Sequence, residues 1–264
     1  MDANAVIVEQ FDRGAAWFDT WSVTGDERML EGLAEFCGLT EDDDVLDVAC
    51  GTGAFALHAA GRVRSVTGVD ISTGMIGVAR DKAVALGLGN VEFVRSDVAR
   101  LDLGADRFSP VVSRSAFHHM PLVAEVFAGM VRCARPGGVV CVQDVMAYGD
   151  EKVDAFFERL EAVVDRSHHR SLGKREFFDL YRANGVALEA LFESESLLDV
   201  AHYIEHVEQT EENRAQVDRL VREGLGDPDI APWFVQDGDR LRWRRRVCTI
   251  KGRKAEADQN HRIG

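Results

Sequence analysis

The sequence predicts an α/β fold, a parallel sheet covered by helices on both faces, with a helical segment inserted late in the chain. Three observations predict it. Short β-branched apolar runs at 45–50, 65–70, 91–97, 108–114 and 138–145 alternate with helix-like stretches, the pattern of strands joined by crossover helices. The first run, Val45-Leu-Asp-Val-Ala-Cys50, passes straight into Gly51-Thr-Gly53 and a helix-like Ala54 to Ala60. Beyond residue 150 the period turns helical, and roughly 50 residues part the sixth strand from the seventh, more than an ordinary connection needs.

Residues 5–36 carry helical spacing with Phe11, Trp17, Phe18 and Trp21 gathered together, read as a packing helix ahead of the acidic turn Glu41-Asp-Asp-Asp44. Turn signals Gly87-Leu-Gly89-Asn90 and Pro136-Gly137-Gly138 precede the third and fifth strands. Val153, Phe156, Phe157, Leu160, Val163 and Val164 mark one buried helix face. A helix over 174–184 stops at Asn184-Gly185 before a strand over 187–192. Residues 198–226 read as helical, Asp227-Pro228 and Ala231-Pro232 break the pattern, and Leu241 to Ile250 reads as the last strand. The expected divisions are a helical cap over 1–40, a main domain over 41–252 carrying an insertion at 198–240, and a loose tail over 253–264.

At 264 residues and 46% apolar content, the chain holds enough for one sizeable core. Acids outnumber bases by 45 to 31, and the first 44 residues hold twelve acids against Arg13 and Arg28. Such a surface repels phosphate backbones, so nucleic acid is not the expected partner. Arg242-Trp-Arg-Arg-Arg246 is the exception and reads as the solvated part of a late strand. Five scattered cysteines without a Cys-x-x-Cys pair, no charged-then-apolar leader and no run long enough to span a membrane point to a reduced, cytoplasmic protein. The oligomeric state stays open.

Gly51 and Gly53 at a strand-to-helix turn would leave backbone N–H groups bare at a helix N-terminus, where a charged cofactor can approach without a Cβ in the way. The second strand ends in Asp70, where an acid would hold the vicinal hydroxyls of a ribose. A nicotinamide-dependent oxidoreductase would share both features. Three others disagree with it: Asp47 inside the first strand, Asp97 at the end of the third, and a sheet that closes with a late hairpin.

Over residues 10–252 these motifs, in this order, resemble the class I S-adenosylmethionine-dependent methyltransferases. The resemblance implies a doubly wound seven-stranded sheet with its last strand antiparallel, a helical cap between the last two strands, and S-adenosyl-L-methionine lying across the C-terminal strand ends. Asp47 and the loop Ala49-Cys50-Gly51-Thr-Gly53 would hold the methionine part, with alanine at 49 where a glycine often stands. Asp70 would bind the ribose, Ile71 and Met75 would sandwich the adenine, and Asp97 with the Val98 backbone would read its amino edge.

Ser113-Arg-Ser-Ala-Phe-His-His-Met120 resembles the segment after the fourth strand in small-molecule methyltransferases of the ubiquinone and menaquinone type. It implies a small-molecule acceptor, to which Trp17, Phe18, Trp21, Trp233 and Phe234 would add an apolar or aromatic surface. The Asn/Asp-Pro-Pro-Tyr-type loop of nucleic-acid amino-methylating relatives is missing, as is the paired-glutamate loop of protein arginine methyltransferases. His118 or His119 would serve as a base for a phenol, enol or acidic carbon; the sequence leaves open which faces inward.

Arg114, with Ser113 beside it, needs a partner if buried: the methionine carboxylate, an acidic acceptor, or Asp47. Trp17, Phe18, Trp21, Trp233 and Phe234 fall in segments expected to cap the cofactor end. His202-x-x-x-His206 and His168-His169 do not match a metal motif, and no metal is expected. A cofactor-binding module that has lost transfer is the competing reading.

Overall fold

Strands β1 (Asp44–Val48), β2 (Ser65–Asp70), β3 (Val91–Arg95), β4 (Val111–Arg114) and β5 (Val139–Met146) pair in parallel in the order β3-β2-β1-β4-β5. They are seen in a computed structural model that describes residues 3–20, 26–100, 102–205 and 210–256. The order reverses at β1, and at such a switch point the loops leaving the strand C-termini diverge and open a crevice. β8 (Arg240–Lys254) then runs antiparallel between β5 and β6 (Val186–Asp199), closing a seven-strand path with its last strand reversed. A short β7 (Phe234–Asp237) pairs with the start of β8, on the edge that β5 leaves free.

Period-two alternation divides the core. Val45, Val66, Val112 and Cys141 face α2 (Glu27–Cys37), α3 (Ala54–Ala60) and α4 (Thr73–Ala85), where they meet Leu33, Phe55, Ala59 and Ile76. Leu46, Val111, Val140 and Val142 face the other way, toward Phe127 and Met130 of α5 (Val123–Cys133) and Phe177 and Tyr181 of α7 (Lys174–Ala183). Each such fully buried large side chain contributes roughly 1.5–3 kcal/mol by transfer from water.

A third cluster lies under the late insertion. Val153, Phe156, Phe157 and Leu160 of α6 (Glu151–Val164) pack on Tyr203 of α8 (Val200–Ile204), Val217 of α9 (Glu211–Leu225), Phe234 and Trp243. Phe157 and Trp243 stack with centroids 5.0 Å apart and planes 9° from parallel.

Three expectations change at the element level. The single N-terminal helix is two, α1 (Ala3–Thr20) and α2, the second begun by Asp26, whose carboxylate accepts from the Arg28 and Met29 amides. The strand expected at 187–192 runs to Asp199, and the one expected at 241–250 runs from Arg240 to Lys254. The extra length is polar, Glu193 and Glu195 reaching Arg246 and Arg244 on β8. Cross-strand pairs of opposite charge thus sustain a ladder that an apolar pattern misses. Trp233 and Phe234 do not cap the crevice: Trp233 packs on Tyr148, 4.4 Å between centroids, and Phe234 belongs to the third cluster. No helix among the described residues is long and apolar enough to cross a membrane.

Candidate active site

The crevice at the switch point deepens into a cavity of about 210 Å³, lined by the strand ends and closed from above by α1. Ala49, Cys50, Gly51, Asp70, Ile71 and Met75 form one end of its wall, continued by Asp97 and Val98. Arg114, His118 and His119 line the middle. Asp47, Gly53 and Ser113 do not reach the wall.

Gly53, at φ +79°, is set by packing: a Cβ there would lie 2.8 Å from the Phe93 ring. Gly51, at φ +56°, has nothing within 4 Å of the same position, so a side chain there would stand in the cavity. The Gly51 and Gly53 amides are not bare, as the sequence suggested. Gly51 N–H donates to Asp70 Oδ2 at 2.9 Å, and Gly53 N–H to the Cys50 carbonyl at 3.0 Å. The turn spends its donors on its own shape and on Asp70.

Asp70 Oδ1 accepts from the Ser72 amide at 2.9 Å, so each carboxylate oxygen holds one backbone donor and keeps acceptor capacity for the cavity. Burial raises its pKa, against the pull of these amides. Helix α1 closes over this point: Asp12 accepts from Ser72 Oγ at 2.5 Å and from the Gly74 amide at 2.8 Å.

Beneath the loop, Asp47 is 2% exposed and its Oδ2 has no hydrogen-bond partner. Burial pushes its pKa up to about 7, opposed by the positive field of Arg114. Burial also lowers Arg114, against attraction to Asp47 and Asp144. Of the partners weighed for Arg114, Asp47 is therefore close enough to be felt. Ser113 is fully buried, its Oγ also without a hydrogen-bond partner.

The two histidines differ in their partners. A 3-10 turn, Phe117–His119, follows β4 and carries both. His118 Nδ1 is 2.5 Å from Asp144 Oδ1, on a carboxylate that also receives the Val145 amide at 2.7 Å. Asp144 Oδ2 accepts from the Ala116 and Phe117 amides at 2.9 and 2.5 Å. Burial would raise this acid, but the His118 ring and the amides hold it below the usual carboxylate range.

His119 Nδ1 is 3.0 Å from Ser167 Oγ, and Ser167 in turn donates to Asp165 at 2.6 Å. Burial and the neighbouring His118 ring bring His119 down to about 3, so it stays neutral near pH 7. Gln10 of α1 donates to Asp165 and Ser167 at 2.5 and 3.0 Å, and Phe11 meets the His119 ring edge-on at 5.1 Å.

Beyond the histidines the wall is one face of β5, β8 and β6: Gln143 and Val145, Val247 and Arg245, Ser196 and Leu198, with Tyr203 of α8 above. None of these was expected from sequence, nor was Asp144 or Asp165. Of the aromatic residues expected here, Phe18 lines the cavity, joined by Phe11, which was read only as helix packing; Trp17 packs on Phe18 and on His202, and Trp21 lies outside the described residues. His168 is spent on Glu158 at 2.8 Å, and His206 lies outside the described residues. Among the described residues no group of three or more potential ligands converges as a metal site. The arginines of 242–246 pair with Asp237, Glu195, Glu161 and Glu193, so this stretch is a row of ion pairs rather than a bare basic patch.

Residues 45–138 match the model of a methyltransferase domain family. The chain is 34% identical to methyltransferase GfsG of Streptomyces halstedii over 47% of this chain and 45% of that one. It is 30% identical to the uncharacterised methyltransferase YcgJ of Bacillus subtilis, over 55% of this chain and 57% of that one. The chain thus spans about half the length of these curated relatives. The crystal structure of a Bacillus halodurans protein described as a methyltransferase by inference superposes with a TM-score of 0.80 at 26% identity, over 86% of this chain and 98% of that one.

Proposed function

We propose that this chain, which belongs to the class I S-adenosylmethionine-dependent methyltransferase superfamily, methylates a small, apolar or aromatic molecule with His118 as the general base. The observation that carries the reading is the His118–Asp144 pair at 2.5 Å on the wall of the crevice that begins at Gly51 and Asp70.

The residues present fit S-adenosylmethionine. Gly51 leaves open the space a Cβ would fill, Asp70 keeps acceptor capacity for two hydroxyls, and Asp47 holds a buried oxygen without a partner below the loop. Ile71, Met75, Asp97 and Val98 line the part of the crevice where an adenine would lie, and Ala49, Cys50 and Arg114 line the part where the methionine end would lie, with Ser113 buried behind Arg114. When bound, the cofactor supplies a methyl carbon on a sulfonium, a leaving group that is already activated.

The protein's task is to orient the acceptor, exclude water and remove a proton. Asp144, ionised, keeps the shared proton on His118 Nδ1 and leaves Nε2 as the ring's acceptor. His119, neutral and held by Ser167, packs against His118 with ring centroids 4.0 Å apart and planes tilted by 44°. In this reading α1 is the cap, Leu198 and Tyr203 of the insertion bound the acceptor chamber, and 41–252 is the methyl-transfer domain.

The test pairs binding with turnover. Calorimetry should show S-adenosylhomocysteine binding to wild type and to His118→Ala alike, while transfer of labelled methyl to a panel of phenols and enols falls in the variant. No binding at millimolar ligand sinks the reading; binding with no transfer to any acceptor favours a module that keeps the cofactor site alone.

A further inference from the structure

Arg245 is 7% exposed, lines the cavity, and stands on the same sheet face as Val247, opposite Ser196 of β6. Its Nη2 is 2.9 Å from Glu161 Oε1, yet the N–H bonds do not point at that oxygen, and Nη2 has no hydrogen-bond acceptor among the described residues. The position is firmly held all the same. The guanidinium carbon lies 5.2 Å from the Trp243 centroid and 5.5 Å from that of Tyr203, whose hydroxyl donates to Glu161 Oε2 at 2.7 Å. Gln143, on the same wall, has a matching unmet need. Its Nε2 donates to Thr249 at 2.9 Å, and its Oε1 is buried without a partner. Buried polar atoms without a hydrogen bond are rare, and two in side chains of one wall mark it as the polar side of the chamber.

The surrounding charge narrows that ligand. Glu161 already balances Arg245, Asp165 lines the wall, and Asp144 lies close enough to act on the guanidinium. A permanently anionic acceptor would meet three carboxylates. A neutral one meets an N–H donor whose value grows if negative charge develops on the atom it touches.

We propose that Arg245 holds the oxygen of a neutral acceptor that ionises as it reacts, a phenol, enol or 1,3-dicarbonyl. The inference rests on the methyl-transfer reading. The acceptor O–H bond breaks, the proton passes to His118 Nε2, and the electron pair stays on the oxygen against Arg245. With S-adenosylmethionine bound, the oxygen, or the carbon conjugated to it, would take the methyl group, and the pair of the broken C–S bond would remain on sulfur. The proton on His118 then leaves to water.

The experiment uses the full chain loaded with S-adenosylhomocysteine and titrated with 4-nitrophenol, whose phenolate is coloured. Its comparators are 4-nitroanisole, which has no proton to lose, and 4-nitrobenzoate, a permanent anion. Wild type should bind 4-nitrophenol and raise its ionised fraction at fixed pH. Arg245→Met alone strands Glu161, so the informative variant is Arg245→Met with Glu161→Leu, which removes both charges together.

That double variant should lose about tenfold or more in 4-nitrophenol affinity, as expected for a hydrogen bond to a charged group. It should also lose the phenolate colour, while 4-nitroanisole and S-adenosylhomocysteine bind as before. Undiminished phenolate in the variant, 4-nitrobenzoate binding as tightly as 4-nitrophenol, or no 4-nitrophenol binding to loaded wild type overturns the proposal. Failure of S-adenosylhomocysteine itself to bind instead overturns the methyl-transfer reading.

Discussion

Asp144 Oδ1 lies 2.5 Å from His118 Nδ1, and the other oxygen of the same carboxylate receives the amides of Ala116 and Phe117. One acid therefore fixes both the imidazole and the backbone turn that carries it. The ring cannot rotate without breaking the hydrogen bond, and the turn cannot shift without stranding buried N–H groups.

Replacing His118 by Ala should lower methyl transfer by roughly 10²- to 10⁴-fold, the usual worth of a positioned base. Asp144→Asn should lower it too and alter the pH–rate profile, since an amide no longer selects the Nδ1–H tautomer. Steady-state rates across pH 5–9, with S-adenosylhomocysteine affinity measured in parallel, check both; a profile in Asp144→Asn that superposes on wild type removes the dyad from the mechanism.

Asp70→Ala should weaken S-adenosylhomocysteine binding by about 1.5–3 kcal/mol, the range for hydrogen bonds to a charged group. It also strips the Gly51 and Ser72 amides of their acceptor. Calorimetry reads the first effect, and thermal melting without ligand separates the second.

Asp47 gives a pH signature of its own. Its folded pKa is raised to about 7 from the 3.8 of the free side chain, so between those values the folded protein holds a proton that the unfolded chain has released. Stability from this group is fully present below pH 3.8 and is lost as pH rises through 7. Asp47→Asn, neutral at every pH, should raise the ligand-free melting temperature at pH 8.5 and change it much less at pH 5. An equal shift at both pH values refutes the assignment.

Gln10→Ala and Asp12→Ala should each loosen α1, because these two side chains tie the helix to Asp165 and Ser167 on one side and to Ser72 and Gly74 on the other. Hydrogen exchange over residues 3–20 should quicken in both variants. The sheet amides of β1 and β4, buried under other helices, should exchange at the wild-type rate.

The donor end was legible in the sequence because its residues lie at strand ends, next to the glycine loop and within a few positions of one another. Asp70, Met75 and Asp97 needed no long-range information. Asp144 was visible in principle: Gln143-Asp144 interrupts Val139-Val-Cys-Val142 and Val145-Met146, two polar residues inside an otherwise apolar central strand. Arg245 was hidden inside Arg242–Arg246, where only period-two alternation, turning Trp243, Arg245 and Val247 inward and Arg244 and Arg246 outward, separates one arginine from its neighbours. Tyr203 and Asp165 are far from the loop in sequence and reach the cavity only through packing of the insertion. The bare amides expected at the glycine loop failed for a similar reason, since their acceptors, Asp70 and the Cys50 carbonyl, are set by the turn's shape rather than by its composition.

The floor of the acceptor chamber is a single face of three long strands, with Val145, Ser196, Leu198, Arg245 and Val247 at alternate positions along them. Exchanging these side chains redraws the chamber while leaving the backbone ladder unaltered, and with it the Gly51–Asp70 end of the crevice many residues away. Selectivity for the acceptor can in this way drift over generations by point replacements at every second position, with donor affinity held constant throughout.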